Sequence, residues 1–385
     1  MFSNRVISEL KKVIGWRNWY APTEIPALNV ALSSTESGQY YQDYHGLVRL
    51  DYIQALIRSN DTLNDYLDRV EVGAINMMLS DLMLKKQLNN HGVSIATNDL
   101  IYQNIVRGSL ITNESKFVGV EFSIDPKLGI KAILNRIGLY FSSAESLDLY
   151  LFNSLQPTFI QKIPYSNTTA NGFQWITAAL ELELDKGTQS PSPDTSGGVW
   201  YLGYYQDDLS GQAIQYNTLN WKNGYCGTCD GGVSAAKYLS ISKYITMTPF
   251  YIPSTAVPVN HDDMFDIANV RYDYTNNYGF NFNISINCDL SQFFIDNRQN
   301  LKQAIGTYVA DRILNDYVYS SEVSGLEQAV KDMAFEALSG NTQTKLVTFE
   351  SKKNKAIESV NFDTGNVNKS PCLPCARGGV TTSFA

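Results

Sequence analysis

The chain has 385 residues, more than a single hydrophobic core usually serves, so two or three domains are expected. Its net charge of -8 argues against a protein that follows a nucleic-acid backbone, because such a surface needs an excess of basic residues. No apolar stretch reaches the roughly 20 residues that span a bilayer, and the first residues lack the apolar core of a secretory signal. We therefore expect neither a membrane span nor secretion through a cleaved signal.

The composition favours recognition or assembly over catalysis. Charged residues make up 18% of the chain, against roughly 25% in ordinary soluble domains. There are 24 tyrosines, whose rings supply contact area at a small cost in side-chain freedom. The 3 histidines leave few groups for acid–base or metal chemistry near neutral pH. The composition thus predicts a structural or binding protein and not an enzyme.

Residues 1–112 are predicted to form an arm followed by helices. Residues 16–44 are rich in aromatic and turn-forming residues and have no helical period, which is typical of an arm or irregular loop. Helical periodicity begins near Leu47, and Asp61 is a candidate N-cap for a longer helix. The apolar residues of that helix recur every three or four positions, at Leu63, Leu67, Val70, Ala74, Met77, Met78 and Leu82.

Residues 113–219 are predicted to form a β-sandwich. Short runs of β-branched and aromatic residues alternate there with Gly, Pro, Asn and Ser, as in FVGVEFSI, KAILNRIGLYF, SLDLYLFNS, FQWITAALELEL and VWYLGYYQD. Leu147, Leu149 and Leu151 recur with the period of two that marks a strand with one face in a core. Several such strands at this spacing indicate an antiparallel sandwich or jelly roll.

The remainder of the chain is predicted to return from strands to helices. Residues 220–290 form a mixed β region, because AAKYLSISKYITMTPFYIP and FNFNISINCDL alternate like strands. Residues 291–385 carry two apolar helical stripes, Leu301 to Ile313 and Leu326 to Leu338, and then an extended tail. The expected fold class is α+β, with an antiparallel, jelly-roll-like β-sandwich inserted between an N-terminal and a C-terminal helical segment.

Four of the five cysteines form two C-x2-C pairs. Cys226 and Cys229 lie in YCGTCDGG, and Cys372 and Cys375 lie in PCLPCARGG. This spacing lets two thiolates turn toward one metal ion, and four thiolates complete a tetrahedral structural zinc site. We expect one zinc ion shared by the four cysteines, which would fasten the tail to the middle of the chain.

Three alternatives to the zinc site stay open, because the two pairs are much farther apart than in zinc ribbons or fingers. The pairs could form two disulfides, one pair could be a redox dithiol, or all four could be free thiols in small loops. A thioredoxin-like dithiol needs a helix that begins at the first cysteine, and GTCDGG is not typical of a helix start. Cys288, in the strand-like ISINCDL, is expected to be a buried small apolar residue.

An acidic cluster near His261 is a weaker candidate for metal binding. Asp262, Asp263 and Asp266 follow it closely, and carboxylates are ligands for hard cations. The ligand order of an EF-hand is absent, however, so an acidic solvated loop is the favoured interpretation.

Candidate sites for sugars are also weak. Adjacent residues on a strand end point in opposite directions, so Asp207 and Asp208 do not predict a two-carboxylate glycosidase site. An aromatic cluster could stack on carbohydrate if part of it is exposed, although alternate members must fill the sandwich core; it consists of Trp200, Tyr201, Tyr204 and Tyr205.

The chain resembles a group of virion structural proteins encoded by tailed phages and prophages of Bacteroidetes hosts. The resemblance runs over nearly the whole length. It is carried by GWRNWYAPTEIPALNVALSSTESGQYYQDYHGLVRLDYI, LNRIGLYF, LYLFNS, WYLGYYQDDLSGQAI, NGYCGTC, INCDLSQF, NFDTGN and SPCLPC. It supplies no catalytic residues to transfer to this chain.

The resemblance implies a subunit of the phage tail, neck or head–tail connector, present as a ring of copies and supporting genome delivery. Its expected partners are copies of itself and other tail, neck or portal-proximal virion proteins, with no specific nucleic-acid recognition. Its expected location is the virion, assembled in the cytoplasm of the bacterial host. The alternative is a receptor- or carbohydrate-binding module at the tail tip.

Overall fold

Two antiparallel β-sheets occupy the middle of the chain, and helices precede and follow them, which confirms the predicted fold class. The structure is a computed structural model that describes residues 2, 4–18, 27–57, 61–88, 91–101, 108–124, 129–182, 198–215, 219–220, 225–226, 241–319, 328–340, 347–362 and 371–372. The chain divides into a helical unit and a β unit. The helical unit comprises Met1–Asn89, Leu290–Asn368 and Leu373–Ala385, and the β unit comprises Asn90–Asp289 and Lys369–Cys372.

The helical unit contains the α-helices of the described residues. They are α1 (Asn4–Lys11), α2 (Val30–Ser33), α3 (Leu50–Gln54), α4 (Leu63–Lys85), α5 (Ser291–Asp296), α6 (Lys302–Tyr319), α7 (Gln328–Ser339) and α8 (Phe349–Ser359). None of the helices in the described part of the chain is both long and apolar enough to cross a membrane.

Helix α4 confirms the predicted periodic helix, with two local differences. The helix is capped by Thr62, whose hydroxyl accepts the N–H of Asp65, while Asp61 forms an ion pair with Arg69. The buried stripe includes Met78, but Met77 is 47% exposed. Two tyrosine hydroxyls form hydrogen bonds between α4 and α6. Tyr66 donates to Asp316 at 2.9 Å, and Tyr308 donates to Asp81 at 2.6 Å.

Helices α6 and α7 pack against each other, as the two stripes predict. The apolar stripe predicted for α7 consists of Leu326, Val330, Met333, Phe335 and Leu338, and it is only partly buried. The buried residues of α7 are the smaller Val330, Ala334 and Ala337, whereas Met333 and Phe335 are 47% and 54% exposed. The predicted start of this stripe, Leu326, lies outside the described residues.

The β unit contains twelve described strands. They are β1 (Ser94–Leu100), β2 (Phe117–Ile124), β3 (Ile130–Phe141), β4 (Glu145–Asn153), β5 (Gln161–Asn167), β6 (Gly172–Leu182), β7 (Trp200–Tyr205), β8 (Leu219–Asn220), β9 (Tyr225–Cys226), β10 (Ile245–Ile252), β11 (Arg271–Tyr272) and β12 (Asn281–Cys288). One sheet has the order β1-β12-β3-β6, a second has β11-β10-β2-β7-β4-β5, and β8 pairs with β9. All described pairs are antiparallel.

The sheets assemble strands from distant parts of the sequence. Strand β12 pairs with β1 and β3, and β10 pairs with β2. The β unit therefore begins before residue 113 and continues to Asp289, so the region predicted as 220–290 completes the sandwich sheets.

Aromatic side chains fill the space between the two large sheets. Phe122 of β2 meets Phe282 of β12 with ring centroids 5.2 Å apart, and Phe141 of β3 meets Tyr204 of β7 at 5.5 Å. These contacts form the inner core of the sandwich, which the alternation of the strands predicts.

A second aromatic core lies on the other face of the six-stranded sheet. The connection between β10 and β11 covers that face and contributes Phe265 and Val270 to it. Phe117 lies near the centre, with ring centroids 4.7 Å from Tyr205 and 5.4 Å from Phe265. The buried residues of this outer core are Phe117, Tyr150, Phe152, Tyr201, Tyr205, Phe250, Ile252, Phe265 and Val270.

Candidate functional site

Cys372 is bonded to Cys288 by a disulfide, with the two Cα atoms 5.4 Å apart. Cys288 is the last residue of β12, and the backbone holds it there. Its N–H donates to Val93 O at 2.8 Å, and its carbonyl accepts the N–H of Gly92 at 2.8 Å. Cys288 is buried, as expected, but as half of a disulfide and not as a free thiol.

The disulfide changes the expectation for the zinc site of Cys226, Cys229, Cys372 and Cys375. A disulfide sulfur is not a thiolate, so Cys372 cannot be a zinc ligand while it is bonded to Cys288. Cys229, Cys375 and the side chain of Cys226 lie outside the described residues. The four-cysteine site thus stays a prediction for a reduced chain. The described residues contain no cluster of three or more His, Cys, Asp or Glu that could hold a metal ion.

The aromatic cluster that could have stacked on sugars is buried, so the exposure that such stacking requires is not met. Trp200, Tyr201, Tyr204 and Tyr205 are at most 2% exposed. Tyr204 points into the inner core, where its hydroxyl donates to Tyr278 O at 3.0 Å. Tyr201 and Tyr205 belong to the outer core. Both faces of β7 are covered because the β10–β11 connection closes the second face.

The acidic cluster after β10 has partners within the protein. The ring of His261 stacks on Tyr205 with centroids 3.6 Å apart, and Asp262 pairs with Lys162 at 2.5 Å. Asp266 caps a 3₁₀ turn by accepting the N–H of Ala268 at 2.9 Å. These contacts give the cluster a structural role.

A buried carboxyl group in the helical unit escaped the sequence interpretation. Glu71 of α4 is 1% exposed, and its Oε1 accepts the indole N–H of Trp16 at 2.5 Å. Burial raises the pKa of Glu71 from 4.5 to about 7, although Lys11, 3.5 Å from Oε2, opposes that rise. The sequence carries a signal for this residue, because Glu71 lies four positions after Leu67 on the same helical face.

The N-terminal arm is largely folded onto the helical unit. Trp16 and Tyr41 are fully buried, and their rings lie 4.7 Å apart. Of the two predictions for residues 16–44, the described parts are mostly an irregular segment and not a projecting arm, while 19–26 lie outside the described residues. The aromatic residues of this segment, which lack a helical period, are core contacts of an irregular stretch of chain.

A polar cleft of about 520 Å³ opens in the β unit. Gln215 donates to Thr275 O at 2.6 Å, and the Thr275 hydroxyl donates to Asp273 at 2.8 Å. Lys116 Nζ lies 4.3 Å from the centre of the Tyr251 ring. Hydroxyl, amide and carboxyl groups around tyrosine rings can bind the hydroxyl groups of a small polar molecule.

Large apolar side chains are exposed on the helical unit. Val30 of α2 is 82% exposed, Leu84 of α4 is 68% exposed and Tyr319 of α6 is 72% exposed. Met333 and Phe335 of α7 are also exposed, at 47% and 54%.

No protein-family model, curated protein or solved structure matches this chain.

Proposed function

We propose that the chain is a structural subunit of a tailed-phage particle, in the tail or head–tail connector, that assembles as a ring of copies in the virion. The proposal starts from the segments that resemble phage virion proteins, and it assigns no catalytic role. The observation that supports assembly most directly is the exposed apolar side chains of the helical unit, Leu84 and Phe335 among them. Contact with neighbouring subunits would remove such area from water, at about 25 cal/mol per Å².

The covered aromatic face of the β unit is compatible with this role. Two aromatic cores stiffen the six-stranded sheet from both sides. A rigid module suits a particle component, because close-packed interiors transmit force with little deformation.

The oligomeric state of the purified full chain tests the proposal. Light scattering during gel filtration and electron microscopy should show rings, and the double variant Met333→Ser/Phe335→Ser should shift the chain toward smaller species. Ala329→Ser is the matched control, since it changes an exposed position of the same helix. A compact monomer at all concentrations, with no assembly on virion components, would contradict the proposal.

A second candidate function is a receptor- or carbohydrate-binding module at the tail tip, with the polar cleft of the β unit as its binding site. The cleft gathers amide, hydroxyl and carboxyl groups beside Tyr251. Binding of the full chain to a glycan array, lost in Tyr251→Ala and retained in Thr246→Ala, would favour it. Thr246 is the control because it is an exposed residue of the same strand. An array without reproducible binding would exclude this candidate for the glycans tested.

A further inference from the structure

We infer that Cys288 and Cys372 form a redox-controlled covalent strap, which fastens Cys372 to the end of β12 in an oxidising environment. The inference does not depend on the proposed phage function. It rests on the partner that Cys372 has in the structure, which differs from the zinc site that the sequence predicts.

Backbone hydrogen bonds that do not involve the sulfur hold the attachment site, Cys288, in the sheet. Besides its two hydrogen bonds to Gly92 and Val93, Cys288 is paired in register with Ile130 of β3. The next residue, Asp289, donates its N–H to Gly129 O at 2.8 Å. Strands on both sides of β12 therefore fix the position of one sulfur, and only the tail has to be brought to it.

Burial protects the bond once it is made. Cys372 is 0% exposed and Cys288 is 3% exposed. Thiol–disulfide exchange requires a thiolate to reach one of the two sulfurs, so a sheltered disulfide reacts slowly until the segment opens. The strap is therefore expected to resist mild thiols and to open when reduction is combined with local unfolding.

The bond encloses a large part of the chain. The two cysteines are 84 positions apart in sequence, and helices α5 to α8 lie between them. The bond therefore joins Cys372, which follows α8, to Cys288 at the end of β12, just before α5. Because the entropy that a cross-link removes from the unfolded chain grows with the logarithm of the loop length, a strap of this span restricts the unfolded chain strongly.

Formation of the strap is a two-electron oxidation by a small-molecule disulfide such as oxidised glutathione. One protein thiolate attacks the S–S bond of the oxidant, which forms a mixed disulfide and releases one small thiolate. The second protein thiolate then attacks the mixed disulfide and releases the other. The two protein thiols lose two protons and two electrons, and the oxidant becomes two thiols.

Tryptic peptides of the full chain separate the possible pairings. Cleavage after Lys and Arg places Cys288 in 272–298, Cys372 and Cys375 in 370–377, and Cys226 and Cys229 in 223–237. After oxidation with oxidised glutathione and alkylation of free thiols, mass spectrometry should find 272–298 linked to 370–377. The link should survive in Cys375→Ser and disappear in Cys372→Ser and with reductant.

Urea unfolding provides the second measurement. The oxidised chain should have a higher midpoint than the reduced chain, and this difference should vanish in Cys288→Ser but persist in the control Cys229→Ser. If Cys288→Ser fails to fold, the oxidised and reduced wild-type chains can still be compared. Their urea midpoints, together with mass spectrometry of the linked peptides, then show whether the disulfide forms and stabilises the fold.

Three results would overturn the strap. The first is a link between 223–237 and 370–377 in Cys375→Ser, where Cys372 is the only cysteine of the second peptide. The second is quantitative alkylation of Cys288 in the oxidised native chain. The third is one zinc per chain after exposure to the oxidant, lost in Cys372→Ser, since zinc ligation and the disulfide exclude each other at Cys372.

Discussion

Trp16 donates its indole N–H to the buried carboxyl group of Glu71 at 2.5 Å, and this bond joins the segment after α1 to the middle of α4. Lys11 lies 3.5 Å from the other carboxyl oxygen and also pairs with Asp68 at the surface. The ring of Tyr41 packs against Trp16 at an angle of 44°, and its phenol oxygen is buried with no hydrogen-bond partner among the described residues. The N-terminal segment is thus held at a carboxyl group that is costly to ionise.

The stability of the chain should fall as pH rises through the titration of Glu71. Its pKa is raised from 4.5 to about 7 in the folded state, so the folded chain binds its proton more tightly than the unfolded chain does. The favourable contribution is present below pH 4.5 and is lost by about pH 7, with a magnitude of about 3 kcal/mol.

Glu71→Gln should remove this dependence, because the amide oxygen can still accept the Trp16 N–H and the group no longer ionises. Urea unfolding between pH 4.5 and 8 provides the measurement, with Glu358→Gln, an exposed residue of α8, as the control. An equal pH dependence in wild type and Glu71→Gln would show that another group is responsible.

Alanine at Gly306 should destabilise the chain despite its higher helix propensity. A Cβ atom there would lie 2.1 Å from Tyr44 Cζ, and the Tyr44 hydroxyl is held by Gln39 at 2.7 Å. We expect Gly306→Ala to lower the free energy of unfolding by about 1–3 kcal/mol.

Gly73→Ala on α4 is the matched control, because the added Cβ would meet no heavy atom within 4 Å among the described residues, apart from its chain neighbours and the adjacent backbone of its own helix. The control should raise stability by up to about 1 kcal/mol. Calorimetry of both variants measures the sign of each change in stability. Stabilisation by Gly306→Ala would mean that Tyr44 moves away at little cost.

Lys353→Ala should leave a buried carboxylate without its cation. Lys353 Nζ lies 3.1 Å from Asp311, and the two side chains are 12% and 10% exposed. Removing one partner of such a pair costs about 3–5 kcal/mol. Lys355→Ala, at an exposed position of the same helix, should change stability by less than about 0.5 kcal/mol. Similar urea midpoints for the two variants would contradict this expectation.

Loss of the Tyr204 ring should unfold the sandwich locally or globally, whereas loss of its hydroxyl should be mild. Tyr204→Phe removes one hydrogen bond, to Tyr278 O, at a cost of about 1 kcal/mol. Tyr204→Ala leaves a cavity between the sheets and should cost about 3–5 kcal/mol. Hydrogen exchange of β2 and β4, which flank β7, measures the difference. Equal protection in both variants would place the ring outside the core.

Elements with a strong period in the sequence are those that could be predicted. Helix α4 and strand β4 follow from their apolar repeats. Strand β5 contains Pro164, and β1 is a largely polar edge strand, so neither carries a clear strand pattern. Their pairing is set by neighbours in the sheet that are distant in sequence.

The candidate site was less predictable because its contacts are nonlocal. Alternation predicts that Tyr201 and Tyr205 lie on the opposite face from Tyr204, but not that the β10–β11 connection covers that face. The C-x2-C spacing suggests that the two cysteines of each pair act together. Cys372 is instead bonded to Cys288, a strand residue 84 positions away. Glu71 is buried in spite of its charge because Trp16 and Lys11 meet it there.

The pairing of Cys288 with Cys372 gives this bond a fixed place in the order of synthesis. Cys226 and Cys229 leave the ribosome before Cys288, and the correct partner follows only after 84 further residues. Until then Cys288 can react only with the wrong thiols of its own chain. A chain interrupted before residue 372 cannot form the bond at all, so this disulfide is confined to chains whose translation has passed that point.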